Sequence, residues 1–464
     1  MTRTTSRRER RSAQRDASTE TSPTNGQRLT HRESAELQTI CVVGLGYVGL
    51  PLAVEFAQSR HRTIGFDIDE RKVAALEGGE DPTGDLESGT IDTADISFTT
   101  DSSVIGEADF VIVTVPTPVD EDEQPNLEYV EAAGRTIGNA LSPDTTVILE
   151  STVYPGATRE VFIPAIEASS ELASPDAFGV GYSPERISPG DGDRGLTDVV
   201  KIVSGQTPEI RAEIAALYES IVTAGVHHAP SIEVAEAAKV VENVQRDLNI
   251  AFVNELSMAL ERMDAELDTH DVLEAAGTKW NFHDYRPGLV GGHCIPVDPY
   301  FLSQCSKRAG FVPELMLRGR QVNEAVPEHV AQLTLKALAH NGKSLQDARV
   351  LLLGLTYKAN VPDVRTSKAG DVADHLRQYG IEVVGFDPVG HVAEMRDALD
   401  LEIEEALSFE GIDGVILATN HDAFDSIDPT VMAGTLEPDP VLVDVPAAFD
   451  PDGVRRAGIT YRRL

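Results

Sequence analysis

The sequence predicts an α/β protein with two parallel-sheet domains joined by a long central helix and a helical region. Short apolar runs rich in β-branched residues alternate with helical patterns at the start of the chain and again after residue 328. Between them, apolar residues recur at three- and four-residue spacing from residue 231 toward residue 263, which predicts one long helix. The four predicted segments are a disordered tail over 1–36, a first sheet domain over 37–205, a central helical domain over 206–328 and a second sheet domain over 329–464.

The amino-acid composition disfavours several classes of partner. The chain has 76 acidic residues against 39 basic ones, for a net charge of −37. Such a surface repels phosphate groups, so we expect no nucleic acid and no anionic membrane as partner. Salt would screen the self-repulsion of these charges, which predicts a halophilic source. No apolar run reaches the roughly 18 residues that span a bilayer, so no membrane insertion is expected.

The cysteines indicate the cellular compartment. Cys41, Cys294 and Cys305 are too few and too scattered for a disulfide framework, which predicts a reducing, cytoplasmic setting.

The tail over residues 1–36 differs in composition from the rest of the chain. It is rich in Arg, Ser and Thr and has almost no large apolar side chains, so we expect it to be disordered. Its arginine pairs are not followed by an apolar region, so it is not a secretory signal. A basic arm that docks on the acidic body is the alternative.

The first sheet domain opens with a glycine-rich turn. A strand over 39–43 leads into Gly44-Leu-Gly-Tyr-Val-Gly49, a helix over 50–59 and a second strand over 63–67 that ends in Asp67. This order is typical of a Rossmann-like domain that binds a dinucleotide, and the acid is placed to bind a ribose diol, which favours NAD over NADP. A glycine turn that binds no ligand is the alternative.

Each glycine of this turn has its own expected role. Gly44 makes the tight turn, Gly46 lets a pyrophosphate approach the backbone, and Gly49 lets helix and strand pack closely. The N-terminus of the helix offers free N–H groups to the phosphates. Tyr47 and Val48 are therefore candidate cofactor contacts as well.

Polar residues follow three further predicted strands of the first sheet. The strands over 110–115, 146–149 and 178–182 precede Thr117, Thr152 and Glu185. Ligands of a parallel sheet bind at the carboxyl ends of its strands, so we expect these side chains near the cofactor. The alternatives are helix caps for the threonines and, for Glu185 taken alone, an acid in a solvated loop.

The long central helix carries Lys239 and Asn243, which are four residues apart and share one face. Asn is unfavourable inside a helix, so its place beside a lysine indicates an inward-facing polar pair. For an isolated pair a solvated helix face is the favoured alternative. A helix of this length is typical of a spine between domains, and we expect a homodimer interface along it.

The second sheet domain repeats the alternation of the first. Its predicted elements are strands over 348–354, 381–387, 414–419 and 441–444 and a helix over 367–379. The strand over 381–387 again ends in an acid, Asp387, but the first turn lacks the GxGxxG pattern. A nucleotide-binding sheet without this pattern predicts a different nucleotide ligand.

Residues 286–300 place Cys294 in a setting that few protein cores offer. Two glycines and a histidine precede the thiol, and Asp298 follows it by four residues. Glycines let the backbone approach a ligand closely. A thiol near a carboxylate in such a loop is a candidate nucleophile with an acid/base partner. A small buried thiol in a tight loop is the alternative.

Together these motifs resemble the UDP-glucose/GDP-mannose dehydrogenase family, the nucleotide-sugar 6-dehydrogenases. The resemblance covers nearly everything from residue 39 to about residue 447. Its motifs are Gly44-Leu-Gly-Tyr-Val-Gly49, Val115-Pro-Thr-Pro118, Glu150-Ser-Thr-Val153, Ser183-Pro-Glu185, Lys239 with Asn243, Gly291-Gly-His-Cys294 with Asp298, and Gly354-Leu-Thr-Tyr-Lys358 with Arg365-Thr-Ser367. This resemblance outweighs the alternatives given above, a solvated loop acid for Glu185 and a solvated helix face for Lys239 and Asn243.

The resemblance implies oxidation of the 6-hydroxyl of a nucleotide sugar to a carboxylate with two molecules of NAD. It implies that Cys294 attacks the intermediate aldehyde as a thiolate, giving a thiohemiacetal and then a thioester that water hydrolyses. Lys239 and Asn243 match the cation and the amide that stabilise the oxyanion. Asp298 matches a carboxylate that assists proton transfer or positions water.

The resemblance also implies roles for the remaining site residues. Glu185 and Thr117 match a pair that acts with the hydrolytic water. Lys72 matches a basic residue near the adenosine ribose, and Arg365 matches one that reaches the cofactor from the second sheet. Further implied substrate contacts are Arg186, Arg286 (across a dimer interface), Gly291, His293 and Lys358 (at the nucleotide diphosphate). No metal site is expected.

Two departures indicate a branch of the family. His293 stands where UDP-glucose enzymes carry serine, and Val297 where they carry lysine. The run from residue 291 to residue 302 resembles the branch that oxidises UDP-N-acetylhexosamines. UDP-N-acetylmannosamine is the typical substrate there, with the gluco and galacto epimers also represented. His293 either tunes the pKa of the thiol or supports the loop.

Other functions account for less of the sequence. UDP-glucose 6-dehydrogenase shares the chemistry but not the His293 loop. A β-hydroxyacid dehydrogenase needs neither a nucleophilic cysteine nor a second nucleotide sheet. A catalytically silent nucleotide-sugar-binding protein would not need every catalytic position filled.

Overall fold

The computed structural model describes residues 37–84, 86, 89–120, 123–187, 195–263 and 267–464. The predicted tail over 1–36 lies outside the described residues. Residues 37–464 form one unit with two parallel-stranded sheets, which confirms the predicted fold class. In the described part of the chain, no helix is both long enough and apolar enough to cross a bilayer.

In the described part of the chain, eight strands form the first sheet. They are β1 (Thr39–Val43), β2 (Arg62–Phe66), β3 (Ile96–Thr99), β4 (Phe110–Val113), β5 (Thr146–Leu149), β6 (Gly179–Tyr182), β7 (Lys201–Gly205) and β8 (Val226–His228). Their order is β3-β2-β1-β4-β5-β6-β7-β8, and all neighbours are parallel except β6 and β7. The strand order reverses between β1 and β4, where ligands bind in sheets of this kind. Because β8 follows β7, this sheet continues beyond residue 205.

Among the residues that the structure describes, six α-helices connect these strands. They are α1 (Gly49–Gln58), α2 (Glu70–Glu77), α3 (Thr90–Thr93), α4 (Glu128–Ala140), α5 (Ile163–Ser170) and α6 (Pro208–Glu219). The predicted strand over 110–115 ends earlier, at Val113. Beyond it, the Thr114 hydroxyl donates to the Gly44 carbonyl at 2.7 Å and so supports the glycine turn.

The central region is helical, as predicted. Its helices are α7 (Ile232–Met263), α8 (Thr269–Gly277), α9 (Asp298–Arg308), α10 (Glu314–Glu324) and α11 (Val326–His340). The long helix α7 contacts β6 and β7 of the first sheet and packs along α9 and α10. Its N-terminal half therefore lies beside the edge of the first sheet where candidate site residues were predicted.

Six parallel strands form the second sheet. They are β9 (Arg349–Leu353), β10 (Glu382–Phe386), β11 (Glu402–Ile403), β12 (Gly414–Leu417), β13 (Val441–Asp444) and β14 (Thr460–Arg463). Their order is β11-β10-β9-β12-β13-β14. The helices that accompany them are α12 (Ala369–Arg377), α13 (Val392–Leu399), α14 (Pro429–Thr435) and α15 (Pro451–Arg456).

Apolar cores cover both faces of each sheet. In β1, Cys41 and Val43 pack into one cluster, whereas Ile40 and Val42 pack into another on the opposite face. The second sheet likewise lies between two clusters. Because both faces are buried, the strands are continuous apolar runs without polar alternation, which is why the sequence predicts them directly.

Both sheets begin with the same turn. Gly44 and Gly354 follow the first strand of their sheets with φ values of +93° and +77°. The N–H of the residue after each glycine donates to the acid that ends the next strand, Asp67 at 2.8 Å and Asp387 at 2.6 Å. The second sheet therefore repeats the local geometry of the first although its glycine pattern differs.

Candidate active site

The glycine turn over 44–49 leaves open space at one glycine and none at another. A Cβ on Gly49 would lie 1.9 Å from the Gly44 carbonyl oxygen and 2.4 Å from Thr114 Oγ1, so only glycine fits there. A Cβ on Gly46 would meet nothing within 4 Å. The open backbone at Gly46 and the start of α1 at Gly49 fit a pyrophosphate group at this turn.

Asp67 lies at the carboxyl end of β2 and is almost fully buried. It accepts hydrogen bonds from Leu45 N at 2.8 Å, Asp69 N at 3.0 Å and Lys72 Nζ at 2.7 Å. Burial alone would raise the pKa of Asp67, but these hydrogen bonds, that from Lys72 above all, bring it below its ordinary value. The structure thus places Lys72 directly on the predicted ribose-binding acid.

Thr117 and Thr152 lie in the loops after β4 and β5, which are neighbouring strands. Both are partly exposed. Ser151 joins the two loops, because its hydroxyl donates to the Val115 carbonyl at 2.7 Å. Both threonines therefore lie at the same edge of the sheet as the glycine turn.

The Cys294 loop (residues 286–297) lies against the loop of the second sheet over residues 354–367. A Cβ on Gly291 would lie 2.6 Å from the Thr366 carbonyl oxygen, and one on Gly292 would lie 3.0 Å from the Tyr357 ring. Gly292 also has a φ of +94° and donates its N–H to Thr366 Oγ1 at 3.0 Å. The two glycines thus let the loop approach the second sheet closely. The sequence predicted a close approach to a ligand and did not predict this packing.

Asp298 is the first residue of α9, and its buried side chain faces polar side chains of α7. Asn243 Nδ2 donates to Asp298 Oδ2 at 2.5 Å, and Lys239 is close enough to act electrostatically on Asp298. Burial raises the pKa of Asp298 to about 6, although Lys239 and Asn243 oppose this effect. The structure confirms that Lys239 and Asn243 form an inward-facing polar pair rather than a solvated helix face.

The Cys294 side chain is accessible to solvent, unlike the buried Cys41. Its carbonyl accepts the N–H of Asp298 at 2.9 Å, which places the thiol one turn before the carboxylate. The surrounding protein raises the pKa of the Cys294 thiol, and the Asp298 charge raises it further, while Lys239 lowers it. The thiol, the carboxylate and the ammonium group therefore interact as one cluster.

Glu185 lies after β6 and is held by a buried lysine that the sequence analysis did not identify. Lys201 Nζ lies 3.0 Å from Glu185 Oε2 and 3.0 Å from Glu150 Oε2. The pKa of Glu185 is lowered, because Lys201 and the N–H groups of residues 186 and 187 outweigh the effect of burial. Glu185 is thus kept ionised by its own surroundings.

Glu150 follows β5 and shares Lys201 with Glu185. Burial raises the pKa of Glu150 to about 7, with a further rise from the charge of Glu185, whereas Lys201 opposes the shift. The Tyr218 hydroxyl donates to the second oxygen of Glu150. The cluster therefore holds two buried carboxylates on one cation, and their pKa values are shifted in opposite directions.

The guanidinium of Arg186 joins the loop after β6 to α7. Its Nε and Nη2 donate to Glu242 at 3.1 and 2.6 Å, and Nη1 donates to the Val200 carbonyl at 2.6 Å. The structure thus shows the Arg186 guanidinium in contact with protein groups, and the substrate role implied for it stays a prediction.

Arg286 and Lys358 occupy two different loops. Arg286 is exposed and pairs with Asp284 at 3.0 Å. Lys358 is partly buried in the loop after β9, where its carbonyl accepts from the Thr356 hydroxyl at 3.0 Å.

Comparisons with known proteins identify the family. Three domain models of the UDP-glucose/GDP-mannose dehydrogenase family match the chain: the NAD binding domain over 38–222, the central domain over 233–325 and the UDP binding domain over 351–451. The chain belongs to this family. It is a NAD-dependent nucleotide-sugar dehydrogenase, an oxidoreductase whose cofactor is NAD.

Individual relatives of the dehydrogenase span most of its length. The UDP-N-acetyl-D-glucosamine 6-dehydrogenase of Pseudomonas aeruginosa is 44% identical over 414 residues, which cover 89% of this chain and 97% of that protein. The UDP-N-acetyl-D-mannosamine dehydrogenase of Escherichia coli (strain K12) is 33% identical over 357 residues, 74% of this chain and 83% of that protein. The solved structure of a UDP-D-ManNAc dehydrogenase from Pyrococcus horikoshii superimposes with a TM-score of 0.83 at 27% identity, covering 92% of this chain and 99% of that one.

Two contributors to the dehydrogenase site were missed from the sequence. Lys201 begins the apolar run of β7, and a charged residue at the head of a buried strand was the available signal. Asp363 is buried and accepts hydrogen bonds from His293 at 3.0 Å and from Arg365 Nη2 at 2.7 Å. No local pattern predicts that contact, because His293 and Asp363 lie on different loops.

Proposed function

We propose that this dehydrogenase oxidises the 6-hydroxyl of a UDP-N-acetylhexosamine to the carboxylate through a covalent intermediate on Cys294. The observation that supports this most is the cluster of Cys294 with the buried Asp298, Asn243 and Lys239. NAD, when bound, supplies the hydride acceptor for both oxidations. Covalent capture of the aldehyde would hold the reactive carbon while the spent cofactor is exchanged.

The titration of the cluster favours a division of roles. The surrounding protein and the Asp298 charge raise the pKa of the Cys294 thiol, so the thiol needs a base when it attacks. Asp298, with a pKa of about 6, is mostly ionised at neutral pH and takes that proton. Lys239 and Asn243 then stabilise the oxyanion of the thiohemiacetal.

We assign hydrolysis of the thioester to residues in the loops at the carboxyl ends of the first sheet's strands. Glu185 stays ionised because Lys201 lies 3.0 Å away. We propose that Glu185 and Thr117 orient the water that attacks the thioester. Both lie in loops that follow strands of the same sheet.

The two sheets would hold the two nucleotides. We assign the following cofactor contacts: Gly44, Gly46, Tyr47, Val48, Gly49, Asp67, Lys72, Thr117, Thr152 and Arg365. We assign the following substrate contacts: Glu185, Arg186, Lys239, Asn243, Arg286, Gly291, His293 and Lys358. In the second sheet the acid Asp387 already accepts the N–H groups of residues 355, 356, 389 and 390 and the ring N–H of His421. Because these protein groups already fill its hydrogen-bonding capacity, Asp387 is not placed to bind a ribose. This supports a nucleotide other than a dinucleotide at that sheet.

Relatives support an N-acetylhexosamine over glucose as the sugar. The relative named for UDP-N-acetyl-D-glucosamine is 44% identical, and the one named for UDP-N-acetyl-D-mannosamine is 33% identical. We therefore expect UDP-N-acetylglucosamine to be oxidised fastest, followed by its epimers. UDP-glucose is the alternative substrate.

A panel of UDP-sugars scored by NADH production tests this function. Two molecules of NADH should appear per molecule of UDP-N-acetylhexosamine consumed, and the product should carry a carboxylate by mass spectrometry. One NADH per sugar would exclude the thioester scheme. A rate highest with UDP-glucose would replace the proposed substrate class and leave the chemistry intact.

A homodimer along α7 is also proposed. Val234, Val241 and Phe252 are 46%, 49% and 58% exposed. Their spacing corresponds to about two and three helical turns, so they form one apolar stripe. Sedimentation should show a dimer for the wild-type protein and a monomer for Phe252→Glu, whereas Val431→Glu on α14 should remain dimeric. A monomeric wild-type protein would exclude the interface.

The acidic surface supports a cytoplasm rich in salt as the working environment. With a net charge of −37, self-repulsion in dilute buffer should weaken the folded state. Activity and the unfolding temperature should both rise toward molar KCl. A protein most active in dilute buffer would contradict a halophilic origin.

A further inference from the structure

The Cys294 loop, the loop of the second sheet and the glycine turn of the first sheet are connected by side chains. His293, next to the thiol, donates from Nε2 to Asp363 Oδ2 at 3.0 Å. Its ring also packs edge-on against the Tyr357 ring, with the centroids 6.1 Å apart. The orientation of His293 is therefore set by the second sheet and not by the thiol beside it.

Asp363 connects His293 to Arg365. The carboxylate is 6% exposed and accepts from Arg365 Nη2 at 2.7 Å, Arg365 Nε at 3.1 Å and Arg365 N at 3.0 Å. Burial acts to raise the pKa of Asp363, but the hydrogen bonds from His293 and Arg365 hold it well below its ordinary value. The carboxylate is thus ionised and fixes both partners at once.

Arg365 extends this chain of contacts to the glycine turn. Its guanidinium carbon lies 5.7 Å from the centroid of the Tyr47 ring, within the range of a cation–π contact. Tyr47 is the residue directly after Gly46, at the open backbone position of the turn. The connected residues are therefore Tyr47, Arg365, Asp363 and His293, which lead to Cys294.

We propose that His293 and Asp363 are positioning residues that couple occupancy of the glycine turn to the placement of the Cys294 thiol. The inference rests on the proposed function, because it assumes that Cys294 reacts while NAD occupies the turn. A phosphate group at the turn would compete with Asp363 for the Arg365 guanidinium, and the hydrogen bonds between Arg365 and Asp363 would change. That change would reach the thiol loop through one hydrogen bond.

Such coupling suits a reaction that uses two cofactor molecules in succession. The thiol has to attack when the first oxidation is complete, and the covalent intermediate has to survive while the cofactor is replaced. A link between the two sites lets cofactor occupancy bias the loop between two placements. His293 thereby takes the supporting role that the sequence left open beside pKa tuning.

Alkylation of Cys294 by iodoacetamide, with and without ADP-ribose, tests the coupling. ADP-ribose would occupy the glycine turn but lacks the nicotinamide that would shield the thiol. Peptide mass spectrometry separates Cys294 from Cys41 and Cys305, and calorimetry confirms that ADP-ribose is bound in every variant. In wild-type protein, ADP-ribose should change the alkylation rate by about fivefold or more, the lower end of typical coupling between sites.

His293→Ser is the decisive variant, because its half-exposed side chain can be removed without opening the core. The ADP-ribose effect should disappear in His293→Ser and in Asp363→Asn, while ADP-ribose affinity stays near the wild-type value. His228→Ser, which changes an exposed histidine on β8, should retain the full effect. If Asp363→Asn does not fold, His293→Ser alone decides the question.

An ADP-ribose effect of wild-type size in His293→Ser, or none in the wild type, would overturn the proposal. Loss of ADP-ribose binding in His293→Ser would overturn it too, since the histidine would then belong to the cofactor site itself. The assay needs no sugar, so it is separate from the test of function. Intact coupling without UDP-sugar oxidation would reject the proposed function, and normal oxidation without coupling would reject only this inference.

Discussion

Asn243 on α7 donates a hydrogen bond of 2.5 Å to Asp298, the first residue of α9. The two residues are 55 positions apart in the chain, and their contact joins the central helix to the loop that carries Cys294. Asp298 is almost fully buried, and burial raises its pKa to about 6. A carboxylate that is buried, oriented by an amide and close to a lysine is suited to exchange a proton with a neighbouring thiol at neutral pH.

Cys294→Ser should abolish net oxidation, by on the order of a thousandfold or more, because a hydroxyl is a far weaker nucleophile than a thiolate. NADH production under steady-state conditions measures the loss, and calorimetry should show unchanged NAD affinity. Cys305→Ser is the matched control, since Cys305 lies outside the cluster with its thiol near the Pro155 carbonyl at 3.7 Å. Rates like those of the wild type in Cys294→Ser would remove the nucleophile assignment.

Replacing Asp298 with Asn should remove the acidic limb of the pH–rate profile, which is the fall of kcat/KM at low pH. The pKa of Asp298 is raised to about 6, so lowering the pH through this value protonates the base, and kcat/KM of the wild type should fall below pH 6. Asp298→Asn should lower the rate by about 10²- to 10⁴-fold, the usual worth of a general base, and should lose this limb. Asp347→Asn, at an exposed acid, should leave the profile unchanged. A limb near pH 6 that persists in Asp298→Asn would assign it to another group.

Lys201→Met should destabilise the protein in a pH-dependent way. The lysine is the shared cation of Glu150 and Glu185, and removal of one partner from a buried ion pair costs about 3–5 kcal/mol. Without Lys201 the pKa of Glu150 rises further and the pKa of Glu185 is no longer held down, so the loss should be largest at pH 8 and shrink as the pH falls and the carboxyls are protonated. Urea unfolding at several pH values measures this dependence.

The double variant Lys201→Met/Glu150→Gln provides the control for that measurement. It removes one of the two carboxylates that lose their cation, so it should recover part of the stability at pH 8. A loss that does not depend on pH, or no recovery in the double variant, would show that Lys201 acts by packing and not by charge.

Gly49→Ala and Gly46→Ala should separate folding from cofactor binding. A Cβ at residue 49 would lie 1.9 Å from the Gly44 carbonyl oxygen, so Gly49→Ala should lower the free energy of unfolding by about 1–3 kcal/mol. A Cβ at residue 46 meets nothing within 4 Å, so Gly46→Ala should fold normally. NAD affinity should nevertheless fall on the order of tenfold, which corresponds to about 1.4 kcal/mol. Normal NAD affinity in Gly46→Ala would place the pyrophosphate elsewhere.

The glycine turn shows what local patterns can predict. The strand, the turn and the acid at residues 39–67 are contiguous, and the roles of Gly44 and Gly49 follow from the close approach of strand and helix. The strands were predictable because both of their faces are buried, which makes them uninterrupted apolar runs. Helix α7 was predictable because its apolar residues recur with helical spacing over many turns.

The glycines of the Cys294 loop show where local patterns end. Gly291 and Gly292 were expected to let the backbone approach a ligand closely, and the structure shows that they also let it approach the Thr366 carbonyl and the Tyr357 ring. Lys201 was not predicted at all, although it controls the ionisation of Glu185. In both cases the decisive neighbour comes from another strand or another domain, which no window of sequence contains.

The sequence by itself determined the two sheets, the long helix between them, the turn that we assign to the dinucleotide and the position of the candidate thiol, because each depends on residues that are close together in the chain. Only the tertiary structure decided that Asp298 is buried against Asn243, that Lys201 serves two carboxylates and that His293 faces Asp363. Those contacts join residues 16 to 70 positions apart, and they exist only once the sheets and helices have packed. The chemistry of the site depends on the charges and the burial that this packing creates.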